Sequence, residues 1–195
     1  EILPKADKSL LLDITQSDSG YLVVGERGHI LTSTDGVSWK QMNVPTRSTL
    51  TTVSAQGSSI WAAGHDGVIL HSADSGTTWE RQRVSPWSKD SYEITNGSPV
   101  LDTYFVNDQT GYAVGAYSLL LKTNDAGKTW EKILYVSEKA GCADISLDPS
   151  KPNIVYATTW EFRRLPYLFN SGWPGSGIFK SLDGGKTWKE LNKGL

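Results

Sequence analysis

Cysteine and methionine each occur once in this chain of 195 residues, and no long apolar run is present. The single cysteine, Cys142, excludes an internal disulfide and a cysteine metal cluster, and we expect it to be a small core residue. No stretch approaches the roughly 20 apolar residues that a membrane helix needs, so no membrane span is predicted. Net charge is also small, because 19 Lys and Arg against 21 Asp and Glu give −2. This balance gives no reason to expect nucleic acid or an anionic membrane as a partner.

Motifs of common catalytic and cofactor sites are missing as well. There is no P-loop, no dinucleotide-binding glycine motif and no Ser-His-Asp nucleophile motif. His29, His65 and His71 share no ligand-like spacing with a carboxylate, so we predict neither a cofactor nor a metal site. A starting methionine is absent too. We therefore expect that an upstream segment was removed and that the protein is exported (periplasmic, lumenal or extracellular) rather than cytoplasmic.

The most prominent feature of the sequence is a short phrase that ends in tryptophan and occurs four times. "SADSGTTW" (72–79), "TNDAGKTW" (123–130) and "SLDGGKTW" (181–188) follow a shorter copy, "STDGVSW" (33–39). Each copy is accompanied by four short β-rich runs bounded by Gly, Asn and Asp, and no stretch has a 3.6-residue apolar period. Four short antiparallel strands in each repeat describe a blade of a β-propeller.

We therefore predict an all-β fold, a β-propeller with four blades that form one unit over residues 1–195. Each blade is a four-stranded antiparallel sheet. The blades are expected at about 9–44, 49–84, 100–136 and 141–193, with insertions at 85–99 and 160–176. A terminal blade without a neighbour leaves one apolar sheet face in water. Three interpretations are open: a piece of a larger protein, a closed four-bladed ring, or an incomplete ring that associates with a copy of itself. Closure of the ring favours the last, so we expect a homo-oligomer.

Within each blade the phrase falls between the third and fourth strands, where it forms a hairpin turn. Its Asp can accept backbone N–H bonds inside the turn, its Gly tolerates positive φ, and its Trp can bury its ring under the turn. Folding needs such residues once in each blade, so we predict a structural role rather than catalysis or calcium binding. The residues assigned this role are Asp35, Trp39, Asp74, Gly76, Trp79, Asp125, Gly127, Trp130, Asp183, Gly185 and Trp188.

The pattern S-x-D-x-G-x-T-W resembles the Asp-box, also called the bacterial neuraminidase repeat. Residues 9–135, with "WAAGHDGVILHSADSGTTW" and "GYAVGAYSLLLKTNDAGKTW", resemble propellers of the photosystem II assembly and stability factor type. Residues 141–195, with "ADISLDPSKPNIVYATTWEFRR" and "GSGIFKSLDGGKTWKELNKGL", are similar to blades of sortilin-like and xyloglucanase-like propellers. The resemblance implies a propeller with six or seven blades, sometimes more. It says little about function, because Asp-boxes serve many activities.

Strand alternation places the predicted functional face at the end of the blades opposite the Asp-boxes. The loops between second and third strands, the blade connections and both insertions share that end. Aromatic and Arg side chains on loops of a rigid scaffold suit recognition, whereas the alternative is that they only pack the loops onto the blades. The candidate binding residues are Glu26, Arg27, His65, Asp66, Trp87, Tyr117, Trp160, Glu161, Arg163, Arg164, Tyr167 and Trp173.

Two classes of function stay open at this point. The first is a non-enzymatic, assembly-factor-like scaffold that binds a protein partner or a glycan; the second is a glycoside hydrolase or carbohydrate-binding propeller. A sialidase is disfavoured, because "FRRLP" (162–166) has an extra residue and precedes the last Asp-box rather than the first. A hydrolase needs two carboxylates across a cleft. The xyloglucanase-like resemblance implies Asp144 as one, and Asp66 or Glu161 are candidates for the second. We predict the scaffold, with no catalytic residue.

Overall fold

A computed structural model describes residues 6–85, 97–165, 167–172 and 174–191 of the chain. In these residues the strands form four antiparallel sheets that follow one another along the sequence. The predicted all-β fold with four blades is therefore confirmed. Within the described residues, helical structure is limited to short 3-10 turns at Ala6–Lys8, Glu26–Gly28 and His65–Gly67.

The strands of each blade pair in the order in which they occur in the sequence. Blade 1 consists of β1 Leu11–Ser17, β2 Gly20–Gly25, β3 Ile30–Ser33 and β4 Lys40–Gln41. Blade 2 consists of β5 Leu50–Gln56, β6 Ser59–Gly64, β7 Ile69–Ser72 and β8 Glu80–Arg83. Blade 3 consists of β9 Val100–Phe105, β10 Gly111–Gly115, β11 Leu119–Thr123 and β12 Glu131–Lys132. Blade 4 consists of β13 Ala140–Asp148, β14 Lys151–Leu165, β16 Gly177–Ser181 and β17 Lys189–Glu190, with β15 Leu168–Ser171 paired to β14.

Blade 4 departs from the predicted pattern at its insertion. The second strand, β14, continues well past its pairing with β16 and turns back as β15, so that Phe162 pairs with Ser171 and Leu165 with Leu168. Much of the insertion predicted at 160–176 is thus a β-hairpin that extends the blade. Of the other predicted insertion, 85–99, residues 86–96 lie outside the described part of the chain.

The core is divided into three clusters, one at each contact between neighbouring blades, and we call these contacts seams. The blade 1–2 seam contains Leu22, Val24, Leu50, Val53 and Ile60. The blade 2–3 seam contains Trp61, Ala63, Val100, Phe105 and Leu119, and the Trp61 ring stacks on the Phe105 ring at 3.5 Å between centroids. The blade 3–4 seam contains Tyr112, Val114, Cys142, Ile145 and Val155. Cys142 is buried, as predicted.

Each Asp-box tryptophan packs into the seam with the blade that precedes its own. Trp79, Trp130 and Trp188 lie against the first, second and third seams respectively. Trp39 of blade 1 belongs to none of these clusters and is 39% exposed. Among the described residues there is no fourth cluster that would join blade 4 to blade 1. The described contacts between blades are therefore those of three consecutive seams.

The Asp-box turns are closed by a repeated set of hydrogen bonds. In blade 2, Asp74 accepts the Thr78 hydroxyl at 2.6 Å, the Thr78 N–H at 2.8 Å and the Ser72 hydroxyl at 2.8 Å. These bonds, that of the Thr78 hydroxyl above all, lower the pKa of Asp74 to about 2. The glycine two residues later, Gly76, has φ +85, and a Cβ there would meet Leu22 of the neighbouring blade at 2.9 Å. The same bonding recurs around Asp125 and Asp183.

Candidate functional site

The turns between second and third strands lie at one end of the blades, opposite the Asp-box turns, and form a surface that we call the loop face. It consists of residues 26–28, 65–67 and 116–118, the blade connections beside them and the β14–β15 hairpin. The connections are bonded to the turns. The Ser48 hydroxyl donates to the Asp66 carboxylate at 2.7 Å, and the Ser118 hydroxyl donates to the Ala140 carbonyl at 3.2 Å. Hydrogen bonds between the turns and the blade connections thus fix the loop face.

Three equivalent side chains are presented at the tips of these turns on strained backbone. Arg27, Asp66 and Tyr117 have φ of 57, 58 and 56, a left-handed conformation that costs a residue other than glycine about 1–2 kcal/mol. All three are exposed, Tyr117 to 51%. The same conformation occurs at Ser75 and Ala126 in the Asp-box turns, so exposure at the tip of the turn, rather than backbone strain, distinguishes these three side chains. These positions are therefore the strongest candidates for contact with a partner.

A groove of about 400 Å³ opens on the loop face between the blade 1–2 connection and the last strand of blade 2. It is lined by Thr46, Arg47, Ser48, Asp66, Arg81 and Val84. The Arg81 guanidinium donates to the Pro45 carbonyl, which fixes this side chain along one wall. Beneath it, Arg83 donates to the Gly67 carbonyl at 2.8 Å, and burial lowers the pKa of Arg83. The groove thus combines charged side chains with Val84, which is 47% exposed.

The β14–β15 hairpin contributes aromatic side chains to the same end of the molecule. Trp160 is 52% exposed and donates through Nε1 to the Ser171 hydroxyl at 3.1 Å, and Tyr167 is 88% exposed. Glu161, which we had predicted as a binding residue, is instead 6% exposed. Its carboxylate accepts the Gly175 N–H at 3.1 Å and the Ser137 hydroxyl at 3.2 Å. Glu161 therefore anchors the hairpin to the blade connection.

The other predicted binding residues fall into three groups. His65 is exposed in the blade 2 turn, and Glu26 is half-buried where its carboxylate accepts the Leu10 N–H at 3.3 Å. The backbone of Arg163 and Arg164 lies in β14, paired with β15. Trp87 and Trp173 lie outside the described residues. The structure thus brings Arg27, His65, Asp66, Tyr117, Trp160 and Tyr167 to the loop face as exposed side chains.

Carboxylates on the inner strands test the hydrolase alternative. Asp13 accepts the Val53 N–H at 2.7 Å, and Asp102 accepts the Thr103 N–H at 2.7 Å and the Thr52 hydroxyl at 3.3 Å. Burial raises the pKa of Asp102, and the charges of Asp144 and Asp13 raise it further, against the lowering effect of the Thr103 N–H. The bonds of Asp13 and Asp102 join inner strands of neighbouring blades, which favours a structural role.

Neither candidate for the second catalytic carboxylate is both exposed and free of a hydrogen bond. Glu161 is buried, and the Asp66 carboxylate accepts the Ser48 hydroxyl. In the described part of the chain, no group of three or more His, Cys, Asp or Glu side chains could hold a metal ion. Among the same residues, no helix has the length and apolar character to cross a bilayer.

Comparison with known proteins identifies the family. The family model described as photosynthesis system II assembly factor YCF48 matches residues 2–87 and 81–155, which together span most of the chain. The chain belongs to the YCF48 family. The expected resemblance of residues 9–135 is thereby confirmed.

Curated YCF48 relatives are similar over part of their length. The photosystem II assembly lipoprotein Ycf48 of Synechococcus sp. (strain CC9902) is 30% identical over 128 residues, which is 62% of this chain and 35% of that protein. The Ycf48 of Prochlorococcus marinus (strain NATL2A) is 38% identical over 85 residues, 42% of this chain and 25% of that protein. The matched region is thus about a third or less of the length of these relatives.

Solved structures show the same fold. An ancestral GH74 enzyme has a TM-score of 0.72 at 15% identity over 95% of this chain and 26% of that one. A YCF48 bound to a D1 peptide has a TM-score of 0.56 at 15% identity over 94% of this chain and 82% of that one. YCF48 from Cyanidioschyzon merolae gives 0.55 at 17% identity, over 98% and 87%. At these identities the likeness supports the propeller fold alone.

Sequence reasoning missed the arginines of the groove. Arg47 lies in a blade connection and Arg81 at the start of the last strand of blade 2, so neither is in a turn or an insertion. The signal that could have found Arg81 is its position at the solvent-facing edge strand, beside a connection that contains Pro45. The sequence does not show that the connection folds back against this strand.

Proposed function

We propose that the chain is a non-enzymatic, assembly-factor-like propeller that binds a polypeptide segment of a partner protein on its loop face. The observation that carries the proposal is the set of three exposed side chains, Arg27, Asp66 and Tyr117, at equivalent tips of the turns on one face. Membership of the YCF48 family supports a protein partner, and a similar YCF48 structure is named as bound to a D1 peptide.

The groove beside Asp66 supports an extended segment as the ligand. It lies next to the blade 2 turn, and its charged walls are fixed by Arg81 and by the Asp66–Ser48 bond. Tyr117 and Trp160 would add aromatic contacts, which often dominate the binding energy of an interface. We further propose an exported location, because curated relatives are named as lipoproteins.

Fluorescence anisotropy with a labelled D1 peptide tests this function. We expect saturable binding that Arg27→Asn and Tyr117→Asn each weaken roughly tenfold, about 1.4 kcal/mol of binding energy. Asn tolerates positive φ, so both variants keep the turn. Lys128→Ala, an exposed change in an Asp-box turn at the opposite end, is the control.

Two outcomes would contradict the proposal. The first is the absence of peptide binding, and the second is equal weakening by Lys128→Ala and by the loop-face variants. A parallel titration with a xyloglucan oligosaccharide separates the alternatives. Binding of the oligosaccharide without binding of the peptide would favour the carbohydrate-binding class.

A further inference from the structure

Blades 3 and 4 are joined at their Asp-box end by two donors that share one carbonyl. Tyr112 of β10 and Lys122 of β11 are paired across their strands. The Tyr112 hydroxyl and the Lys122 ammonium both donate to the Gly184 carbonyl in the Asp-box turn of blade 4, at 3.2 and 2.8 Å. The ammonium also lies 5.6 Å from the centroid of the Tyr112 ring. In this seam, an aromatic side chain and a cation together hold the Asp-box turn of the next blade.

The blade 2–3 seam has the same arrangement with a histidine in place of the lysine. Trp61 and His71 are paired in the same register, directly before the Asp-box. The Trp61 Nε1–H donates at 2.8 Å to the Ala126 carbonyl, and Ala126, like Gly184, is the residue after the Asp-box aspartate. The His71 ring stacks on the Trp61 ring at 5.0 Å between centroids. One of the two donors is thus in place, and the second position holds a side chain whose charge depends on pH.

The two ring nitrogens of His71 have different surroundings. Nδ1 lies 3.4 Å from a carboxylate oxygen of Glu80, whereas Nε2 is buried and has no hydrogen-bond partner among the described residues. His71 as a whole is 9% exposed. The Ala126 carbonyl accepts the bond from Trp61 and, like every carbonyl, has a second lone pair. A neutral imidazole has one N–H for the carboxylate and the carbonyl, whereas an imidazolium has one for each.

The charges around His71 match those around Lys122. The charged groups that act on Lys122 belong to its strand partner and to the facing Asp-box turn: Lys186, Glu131 and Asp183. The same positions around His71 hold Lys128, Glu80 and Asp125. The arginines of β8 donate instead to backbone carbonyls on the loop-face side, and β6 has no ionisable side chain. A cation at position 71 therefore has the electrostatic surroundings of a cation that the next seam already accommodates.

We propose that His71 forms a pH-dependent contact between blades 2 and 3, which we call the His71 contact. In the protonated ring, Nδ1–H donates to Glu80 and Nε2–H donates to the Ala126 carbonyl, and the positive charge is attracted to the indole face of Trp61. In the neutral ring one of the two bonds is missing and a buried nitrogen stays unpaired, which costs free energy. Because the folded protein then binds the proton more tightly than the unfolded chain does, the contact stabilises the seam at acidic pH. This stabilisation is lost as the pH rises through the range in which histidine changes charge.

Thermal unfolding at two pH values tests the His71 contact. When the pH is lowered from about 8 to about 5, the parent should gain roughly 2–4 °C in melting temperature relative to His71→Thr; threonine is the residue at this position in blade 1, as Thr32. His71→Lys, which stays charged throughout, should lack the pH-dependent gain and melt near the parent at the lower pH. If His71→Thr does not fold, the parent and His71→Lys give the same comparison. His65→Gln, a change of the exposed histidine of blade 2, is the control and should keep the gain of the parent. Burial lowers the pKa of His29, but His29 is present in every variant and its effect cancels.

Transfer of the histidine to the next seam is a sharper experiment. In the parent, acidic pH should slow amide exchange, corrected for the intrinsic effect of pH, in the Asp-box turn of blade 3 at 125–129. In the double variant His71→Lys, Lys122→His, the slowing should move to the turn of blade 4 at 183–187. The same pH dependence of melting in the parent and in His71→Thr would overturn the proposal. A double variant in which the effect stays at 125–129 would overturn it equally.

Discussion

At the residue scale, the hydroxyl of the first residue in each Asp-box turn stabilises the turn together with the aspartate. Ser72 is 1% exposed, donates to Asp74 and accepts the Gly76 N–H at 2.8 Å. Ser72→Ala should lower the free energy of unfolding by about 1–3 kcal/mol, because a buried N–H loses its partner. Urea denaturation measures this. Ser146→Ala, at an exposed strand position, should stay within about 0.5 kcal/mol of the parent, and an equal effect of the two would contradict the structural role.

The Asp-box carboxylates also predict how stability depends on pH. Hydrogen bonds from Thr78 and Thr129 lower the pKa values of Asp74 and Asp125 from 3.8 to about 2. Because the folded pKa lies below the unfolded one, the stabilisation is complete above pH 4 and is lost as pH falls through 2. The melting temperature should therefore drop between pH 4 and 2, and Asp74→Asn should make the drop shallower. An unchanged profile in Asp74→Asn would show that this carboxylate is not stabilised by its turn.

Strain at a turn tip should separate stability from binding. Tyr117 has φ 56, so Tyr117→Gly relieves a conformational cost and should raise stability by about 1 kcal/mol. The same variant should bind the D1 peptide more weakly, since the ring is lost. Tyr104→Gly, in the extended strand β9 at 37% exposure, is the control and should destabilise. If Tyr117→Gly lost stability as well, the tyrosine would be a packing residue.

At the scale of the strand and the seam, burial rather than residue type decides what a tryptophan contributes. Trp61 is fully buried, stacks on Phe105 and donates to the Ala126 carbonyl of the next blade at 2.8 Å. Trp61→Ala should cost about 3–5 kcal/mol, whereas Trp160→Ala, at 52% exposure, should leave the unfolding midpoint nearly unchanged. Equal losses of unfolding free energy in Trp61→Ala and Trp160→Ala, measured by chemical denaturation, would mean that the hairpin carrying Trp160 is part of the core.

Repetition in the sequence predicted the blades well, because every blade repeats the same strand and turn requirements. It could not predict the environment of each copy. Trp39 and Trp79 occupy the same position in the repeat, yet Trp39 is 39% exposed whereas Trp79 packs in the first seam. Glu161 was predicted as an exposed binding residue, whereas in the structure its carboxylate accepts the Gly175 N–H. Long-range contacts of this kind have no local signal in the sequence.

At the scale of the whole molecule, the two ends of the blades carry different features. The Asp-box turns are closed by repeated hydrogen bonds within the turn, whereas the loop face presents exposed side chains and the groove beside Asp66. We propose that the Asp-box end serves stability and the loop face serves recognition, a division typical of scaffolds that hold variable loops.

Hydrogen–deuterium exchange in the presence and absence of the D1 peptide tests the central claim, recognition on the loop face, most directly. Backbone amides covered by a ligand exchange more slowly. We predict slower exchange in residues 26–28, 65–67 and 116–118 and beside the groove at Thr46–Ser48, with no change in the Asp-box turns at 74–78 and 125–129. Protection of the Asp-box turns with none on the loop face would contradict the account.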